Sequence, residues 1–473
     1  MASLLWLIFW LVGVGALAYH RVSLQISTGI LGAGLVITTL FSPFSWITLL
    51  LGWLLIGSAL TLFNHPKWRR QYFLEPLFEK LKKIQPEISE VEKVALQSGT
   101  VSWDGDLFSG RPNWKKLLNY PAPQLSAEEQ AFIEGPVKEL LTMTNDWEIT
   151  HYDLALSPTI WTFLKEHGFL GLKIPKRYGG KGFSELAHSE IITHLAERSV
   201  TLAASVSVPN SLGPAELILK YGLDTQKDHY LPRLATGEEI PCFALTAPEA
   251  GSDAGSITDT GVISKGTFEG KEVIGITLNW DKRYITLAPI ATLLGLAFKL
   301  YDPEHLLGQK EYRGITLALV PTHLPGITIG RRHFPMNIPF QNGPTQGKDV
   351  FIPIDWIIGG PKMAGEGWRM LMECLSTGRA ISLPALSGGS AKTSALFTTA
   401  YARIRRQFRI PLAKFEGIQE GLARIAGFTY LFESIRVFTA NLIDQGEKPA
   451  VLSAMSKYQV TELGRKVAND AMD

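Results

Sequence analysis

The residues from Pro241 to Ser256 combine an apolar run with a loop of small and hydroxyl residues. The run ends at Thr246, and the loop that follows contains Gly251 and Ser252. Glycine and alanine allow close approach of the backbone, so the N–H groups of such a loop can hydrogen-bond the heteroatoms of a flat cofactor. A strand followed by a Ser-Asp-Ala-Gly turn explains the same residues without a ligand. Both interpretations stay open on this stretch alone.

A second stretch, from Lys282 to Thr286, contains two cations, an aromatic ring and a hydroxyl. Tyr284 offers a flat face that can cover an aromatic cofactor, and Thr286 offers a hydrogen-bonding group beside it. The simpler alternative is an amphipathic strand with a basic start.

Composition excludes several classes of protein. The 473 residues have a net charge of +2, which gives nucleic acid no broad basic surface. Cys242 and Cys374 lie in apolar contexts, which predicts buried thiols in a reducing compartment rather than a disulfide. No Cys-x-x-Cys or His-Glu-x-x-His pattern indicates a metal. We therefore predict neither a nucleic-acid partner nor a bound metal.

The N-terminus carries three apolar runs, at roughly Leu4–Tyr19, Ile26–Phe41 and Trp46–Phe63. Each is near the short end of the roughly 17–25 residues that span a bilayer. Basic residues follow the first and third runs, so three crossings would leave both basic flanks and all later residues in the cytosol. Helices that lie in the membrane interface are the alternative. We expect membrane association in either case.

Three blocks of different periodicity follow. Apolar residues recur at helical spacing from Ser126 to about Arg233, and Ser126 precedes acidic residues as a helix N-cap does. A helical pattern returns from Gly367 onward. Between them, strand-like runs alternate with turn residues. These runs are Val273–Ile276, Ala291–Leu300, Gly314–Val320 and Val350–Ile354.

This order of blocks resembles the acyl-CoA dehydrogenase family, and five motifs in the expected order support the resemblance. Two are the stretches described above. Residues 171–182 are similar to the family's G-x-x-x-P-x-x-Y-G-G-x-G loop, and residues 221–238 to its FGTxEQKxxYLPxLAxGE stretch. Arg405–Phe408 with Gln419 is similar to its R-x-x-F…Q element. The apolar extension resembles that of large membrane-associated members from enteric-type bacteria.

The resemblance implies an α+β fold that begins with membrane helices. The expected parts are membrane-associated helices at 1–64, a connecting segment at 65–120, an N-terminal helical domain at 121–240, a middle β-domain at 241–360 and an incomplete C-terminal helical bundle at 361–473.

The resemblance also implies a function. The expected enzyme uses FAD to introduce a trans-2 double bond into medium- or long-chain fatty acyl-CoA, the first step of β-oxidation. Its partners would be fatty acyl-CoA, an electron-transferring flavoprotein or equivalent acceptor, the membrane and further copies of the chain. It would lie at a bacterial inner membrane with its catalytic part in the cytoplasm. An acyl-CoA oxidase-like flavoenzyme and a non-catalytic membrane scaffold are the alternatives.

Site residues follow from the matching positions. The cofactor-binding set is Phe243, Leu245, Thr246, Gly251, Ser252, Tyr284, Ile285, Thr286, Arg405, Phe408 and Gln419. The substrate set is Ser252, Ser376 and Arg379.

Three positions depart from the family pattern. Tyr284 replaces a tryptophan, Ala247 replaces a carboxylate and Arg409 replaces a glycine. For Arg405, a solvated basic helix face is the alternative interpretation.

The family places its catalytic general base in one of two locations. One location directly precedes the arginine matched by Arg379, and Gly378 occupies it here. The other lies on a turn late in the last domain. We therefore expect the catalytic glutamate beyond Asp473, and no catalytic base or turnover from these 473 residues alone.

Overall fold

The computed structural model describes residues 2–84, 88, 93–94, 97 and 99–473, with the backbone alone for 2–4, 212 and 375–377. The chain divides into two compact units, Met1–Ile88 and Ser89–Asp473. We treat each unit by itself.

The N-terminal unit consists of helices whose bounds follow the apolar runs. The long helices are α1 (Ala2–Tyr19), α2 (Leu24–Phe41) and α3 (Trp46–Asn64). After them come a helical turn (Pro66–Trp68), a π-helical segment (Arg69–Leu74) and the amphipathic α4 (Glu75–Ile84).

Polar side chains join these apolar helices. Trp10 Nε1 donates to Thr38 Oγ1 at 3.0 Å, and Trp53 Nε1 donates to Thr39 Oγ1 at 2.9 Å. Within the described residues, α2 and α3 are long and apolar enough to cross a membrane, while Leu5–Tyr19 is a shorter apolar helix. Only 11% and 0% of the two candidate spans is buried, so neither is the core helix of this unit.

The second unit begins with short helices, and those between Ala127 and Ser207 bury one apolar core. The helices are α5 (Trp103–Phe108), α6 (Trp114–Leu118), α7 (Ala127–Phe132), α8 (Lys138–Met143), α9 (Pro158–Glu166), α10 (Glu185–Arg198), α11 (Val200–Ser207), α12 (Ala215–Tyr221) and α13 (Asp224–Thr236). Ser126 forms a capping box with Glu129 at the start of α7, which confirms the predicted N-cap.

The middle of the chain folds into a mixed sheet, for which the described residues supply seven strands. They are β1 (Pro241–Ala244), β2 (Thr260–Phe268), β3 (Lys271–Thr286), β4 (Leu293–Tyr301), β5 (Tyr312–Pro321), β6 (Ile327–Ile329) and β7 (Asn342–Pro353). The order is β1-β4-β2-β3-β7-β6, and β5 pairs with β4. β1 and β3 are therefore not paired with each other in the sheet.

The four predicted strand runs are confirmed, but the sheet contains more than they indicated. The run at Val273–Ile276 is only part of β3, which continues through Tyr284 to Thr286. β2 was not predicted. β2 pairs with β3 in a hairpin whose turn contains Glu269 and Gly270, both with positive φ. This pairing stabilises a strand whose own mixed sequence did not predict it.

The C-terminal part is helical, as predicted. It contains α14 (Gly367–Ile404), β8 (Arg406–Gln407), β9 (Ile410–Pro411), α15 (Glu416–Asp444) and α16 (Ala450–Met472). The helix-face interpretation of Arg405 is wrong, because α14 ends at Ile404 and the chain turns back in a short hairpin.

Candidate cofactor site

The end of β1 exposes alternate side chains, as a strand requires. Cys242 and Ala244 are fully buried in the sheet core, while Phe243 and Leu245 are half-buried on the other face. Gly295 lies opposite Phe243 on β4, and a Cβ there would lie 2.7 Å from the Phe243 ring. Glycine at this position therefore makes room for the ring. The structure thus places two predicted cofactor residues on one partly open face.

The loop after β1 is a tight turn with an open backbone. Ala247 and Ala250 exchange backbone hydrogen bonds at 3.1 and 3.2 Å, which leaves Glu249 exposed at the tip. Gly251 and Ser252 are exposed, and a Cβ built on Gly251 would meet no atom within 4 Å. The predicted loop therefore offers free space beside its backbone.

The end of β3 carries a β-bulge that reverses the direction of its side chains. The register against β7 shifts between Lys282 and Ile285, and Tyr284 has φ of +55°. Ile285 is buried, whereas the Tyr284 ring is 61% exposed. A left-handed backbone at a non-glycine residue costs roughly 1–2 kcal/mol, and such strain clusters at functional sites. Ile285 therefore supports the site from the core, while Tyr284 faces outward.

One backbone hydrogen bond joins the two stretches that the sequence singled out. Arg283 N donates to Thr246 O at 3.0 Å. Thr286 is half-buried beside them and accepts a hydrogen bond from Asn342 Nδ2 at 3.3 Å. We call the resulting surface the β wall. Its members are Phe243, Leu245, Thr246, Gly251, Ser252, Tyr284 and Thr286.

Sequence reasoning missed two residues beside the β wall, His333 and Asn342. The rings of Tyr284 and His333 lie 4.7 Å apart, and His333 N donates to Asn342 O at 2.8 Å. Asn342 Oδ1 is buried and has no hydrogen-bond partner among the described residues. A buried acceptor without a partner, next to an open ring and a hydroxyl, fits a flat heteroaromatic group with N–H donors. The signal that could have indicated Asn342 is a polar amide at the first residue of a strand, β7.

The first part of α14, the helix that carries the predicted substrate residues, packs in the same apolar cluster as the loop of the β wall. Ala250 and Ile257 pack in one apolar cluster with Met370 and Cys374 of α14. Arg379 follows on the same helix, is half-buried, and has its pKa lowered by that burial. The side chain of Ser376 lies outside the described residues.

The remaining predicted residues form a separate feature, the arginine hairpin (Arg405–Pro411). Phe408 is 88% exposed and lies 6.2 Å from the Phe415 ring. Gln419 Nε2 donates to Ala413 O at 3.0 Å, so it lies beside the base of the hairpin. Among the described residues, no hydrogen bond joins this hairpin to the β wall. The structure therefore divides the predicted cofactor residues into two groups.

Glu373 is held by three donors and is not a free base. It accepts hydrogen bonds from Lys220 Nζ at 2.5 Å, Tyr221 Oη at 2.6 Å and Arg369 at 3.2 Å. Burial alone would raise the pKa of this carboxyl, but these partners lower it to about 2. At neutral pH Glu373 is therefore ionised, and its hydrogen bonds join α12 to α14.

Three family models match consecutive parts of the chain. The acyl-CoA dehydrogenase N-terminal domain matches residues 127–238, the middle domain residues 242–350, and the C-terminal domain residues 365–473.

Curated relatives cover different shares of the chain. A 3-(aryl)acrylate reductase of Clostridium sporogenes is 32% identical over 312 residues, 65% of this chain and 77% of that protein. The mouse mitochondrial very long-chain specific acyl-CoA dehydrogenase is 27% identical over 403 residues, 84% of this chain and 59% of its own length. A Proteus mirabilis protein named HemX is 64% identical over 104 residues, 22% of this chain and 61% of that protein. The chain thus spans about three fifths of the last two relatives.

Solved structures agree with the family models. An acyl-CoA dehydrogenase from Geobacillus kaustophilus superposes with a TM-score of 0.64 at 27% identity, covering 74% of this chain and 88% of that one. With the three consecutive domains and the reductase match, the chain belongs to the acyl-CoA dehydrogenase family of flavin-dependent oxidoreductases.

Proposed function

We propose that this protein binds FAD at the β wall and oxidises a medium- or long-chain fatty acyl-CoA to the trans-2-enoyl-CoA. The observation that carries the proposal is the hydrogen bond from Arg283 N to Thr246 O, because it sets the two predicted cofactor stretches side by side. When bound, FAD supplies the acceptor for the hydride that leaves the β-carbon of the acyl chain.

The residues of the β wall would bind and orient rather than react. Phe243 and Leu245 offer an apolar floor, and Tyr284 offers an aromatic cover. The hydroxyls of Thr246 and Thr286 offer hydrogen bonds to ring heteroatoms, and Asn342 holds the second hydroxyl in place. Ser252 and the open backbone at Gly251 offer donors for a phosphate or for the CoA side of the substrate. Arg379 and Ser376 would hold the CoA thioester from α14.

The arginine hairpin would serve a second copy of the chain. Arg405, Phe408 and Gln419 are exposed on their own unit, so a neighbouring subunit can receive them. The guanidinium of Arg405 suits the pyrophosphate of FAD, because its planar fork of donors matches a phosphate diester. We therefore propose a homo-oligomer in which each FAD is bound by a β wall and by the hairpin of a partner. An electron-transferring flavoprotein or a similar carrier would reoxidise it.

We also propose that the N-terminal unit attaches the enzyme to a bacterial inner membrane, with the rest of the chain in the cytoplasm. α2 and α3 supply the length and composition, and few of their residues are buried against protein. Alkaline carbonate washing of membranes tests this attachment. Release of the protein into the supernatant would refute it.

The reaction is tested in two stages with the protein in detergent. Titration with FAD should show saturable quenching of flavin fluorescence, and the absence of binding would overturn the proposal. Anaerobic palmitoyl-CoA is then added, and 2-enoyl-CoA, detected by mass spectrometry, is the product that the proposed reaction requires. Bound FAD without enoyl-CoA would restrict the proposal to FAD binding, as expected where no catalytic base acts on the substrate.

A second candidate is the reverse reaction, reduction of a conjugated acyl double bond. It is favoured by the Clostridium sporogenes relative, which is named as a reductase of 3-(aryl)acrylates. Both directions use the same wall, so the flavin potential and the electron donor decide between them. Comparing palmitoyl-CoA oxidation with NADH-dependent reduction of 2-enoyl-CoA distinguishes the two.

A further inference from the structure

A buried ion pair lies directly behind the β wall. The side chains of Lys282 and Asp259 are 0% and 2% exposed and contact each other. Lys282 Nζ also donates to Leu245 O at 2.9 Å. Burial lowers the pKa of Lys282, and Asp259 opposes that change. The buried cation is thus held between a carboxylate and a backbone carbonyl of the β wall.

Lys282 of this ion pair connects β3 to the end of β1, and these two strands are not paired in the sheet. β1 pairs with β4 only as far as Ala244. The next two carbonyls are held from β3, Leu245 O by the side chain of Lys282 and Thr246 O by the backbone of Arg283. The side chain of Lys282 therefore donates to Leu245 O the hydrogen bond that a neighbouring strand would otherwise donate.

Asp259 fixes the other end of this connection. It directly precedes β2, and its Oδ1 accepts a hydrogen bond from Asp281 N at 2.9 Å. Its backbone carbonyl accepts from Lys299 N on β4 at 2.9 Å. Asp259 is thereby anchored to β3 through its carboxylate and to β4 through its backbone.

Stability alone does not account for a buried pair of this kind. Desolvation offsets most of the attraction, and apolar replacements of such pairs are often neutral or stabilising. The sheet already has an extensive apolar core on the same strands, including Ile276, Leu278 and Leu296. What the pair adds is a fixed position for one carbonyl, in the residue next to Thr246.

We propose that Lys282 and Asp259 are positioning residues that hold Leu245 and Thr246 opposite Tyr284 and Thr286, so that the β wall is preformed for its cofactor. This inference rests on the proposed function, since it concerns FAD binding at the same wall. A preformed wall binds more tightly because less ordering remains to be done on binding.

The test compares two double variants in which a buried ion pair is replaced by apolar residues. The first is Lys282→Met with Asp259→Leu. The control is Lys173→Met with Glu185→Leu, a largely buried pair outside the β wall that also contacts Glu216 and His188. The first variant should lower the thermal unfolding midpoint of the apoprotein no more than the control does, but raise the Kd for FAD at least about tenfold. The control should leave the Kd unchanged. An unchanged Kd in a folded first variant would overturn the proposal.

Two further measurements keep the test decisive. If the double variant does not fold, Asp259→Asn replaces it, because it keeps the size of the side chain and the acceptor for Asp281 N. Its Kd should rise by a smaller factor, and an unchanged Kd would overturn the proposal. Hydrogen exchange of residues 245–252 is measured on the apoproteins, where the variant should exchange faster than wild type. Equal exchange would refute the positioning role.

The two proposals can fail separately. A wild-type protein that binds no FAD overturns the proposed function before any variant is compared. The exchange measurement would then still decide whether the ion pair orders the loop.

Discussion

In the β wall, the groups that face outward are held by hydrogen bonds from neighbouring strands, whereas in the arginine hairpin they stand on an exposed turn. Thr246 and Thr286 are fixed by Arg283 and Asn342. Phe408 and Arg409 instead occupy left-handed conformations at the tip of a hairpin whose strands have two residues each. The β wall is built from residues of one chain, and we propose that the hairpin presents its groups to a second copy. The predictions below test this difference, starting from the largest effect.

The hairpin should contribute to FAD binding only through assembly. Arg405→Ala should weaken FAD binding by about 1.5–3 kcal/mol, because a hydrogen bond to a charged phosphate is lost. Wild-type affinity should also fall on dilution below the concentration at which the oligomer dissociates. Fluorescence titration and sedimentation at several concentrations measure both effects. Arg403→Ala, an exposed arginine at the end of α14, is the control and should bind FAD normally. If Arg405→Ala binds FAD as wild type does, the two-region site is wrong.

The attachment of α14 to α12 should depend on pH through Glu373. Its pKa falls from an ordinary 4.5 to about 2 on folding, so its stabilisation is present above pH 4.5 and is lost as the pH falls towards 2. After allowance for the partly exposed Lys220 and Arg369, Glu373→Gln should lower the free energy of unfolding by about 2 kcal/mol at pH 7.

Denaturant unfolding in detergent at pH 7 and near pH 2.5 measures this difference. The two proteins should differ clearly at pH 7 and much less at the lower pH. Glu366→Gln removes an exposed carboxylate that pairs with the same Arg369, and it should change stability little at either pH. A pH-independent difference for Glu373→Gln would contradict the assignment.

The affinity for FAD should depend on the size of the aromatic ring at position 284, where Tyr284 would cover the flavin. Tyr284→Trp restores the residue that the family places there and should tighten FAD binding by about 0.5–1 kcal/mol, because the stacked area increases. Tyr284→Ala should weaken it. Titration of both variants tests the role, and if neither shifts the Kd, Tyr284 does not contact the flavin.

The tip of the hairpin should show the smallest effect. Arg409 has φ of +68°, where glycine is favoured. Arg409→Gly should stabilise the protein by about 0.5–1 kcal/mol, since relief of strain exceeds the added entropy of the unfolded chain. Its thermal unfolding midpoint should rise, and FAD binding to the β wall should not weaken. A lower midpoint would show that the arginine side chain makes contacts that outweigh the strain.

Much of the fold was readable from local pattern. Ser126 was correctly predicted as an N-cap because capping is a short-range hydrogen bond between residues three apart. The helices of the N-terminal unit followed from its apolar runs, and β4, β5 and the end of β7 followed from strand-like runs between turn residues. β2 was missed because its alternation is weak and its stability comes from pairing with β3.

For the site, the sequence by itself determined which residues could touch a flavin, because Thr246, Tyr284 and Thr286 belong to recognisable stretches. Only the tertiary structure decided that these stretches meet, that Arg405 and Phe408 stand apart, and that Lys282, His333 and Asn342 belong to the surroundings of the wall. The reason is that local sequence specifies hydrogen-bonding groups and backbone preference. Which carbonyl a buried lysine reaches depends on strand order, and β1 and β3 are brought together only by the folded sheet.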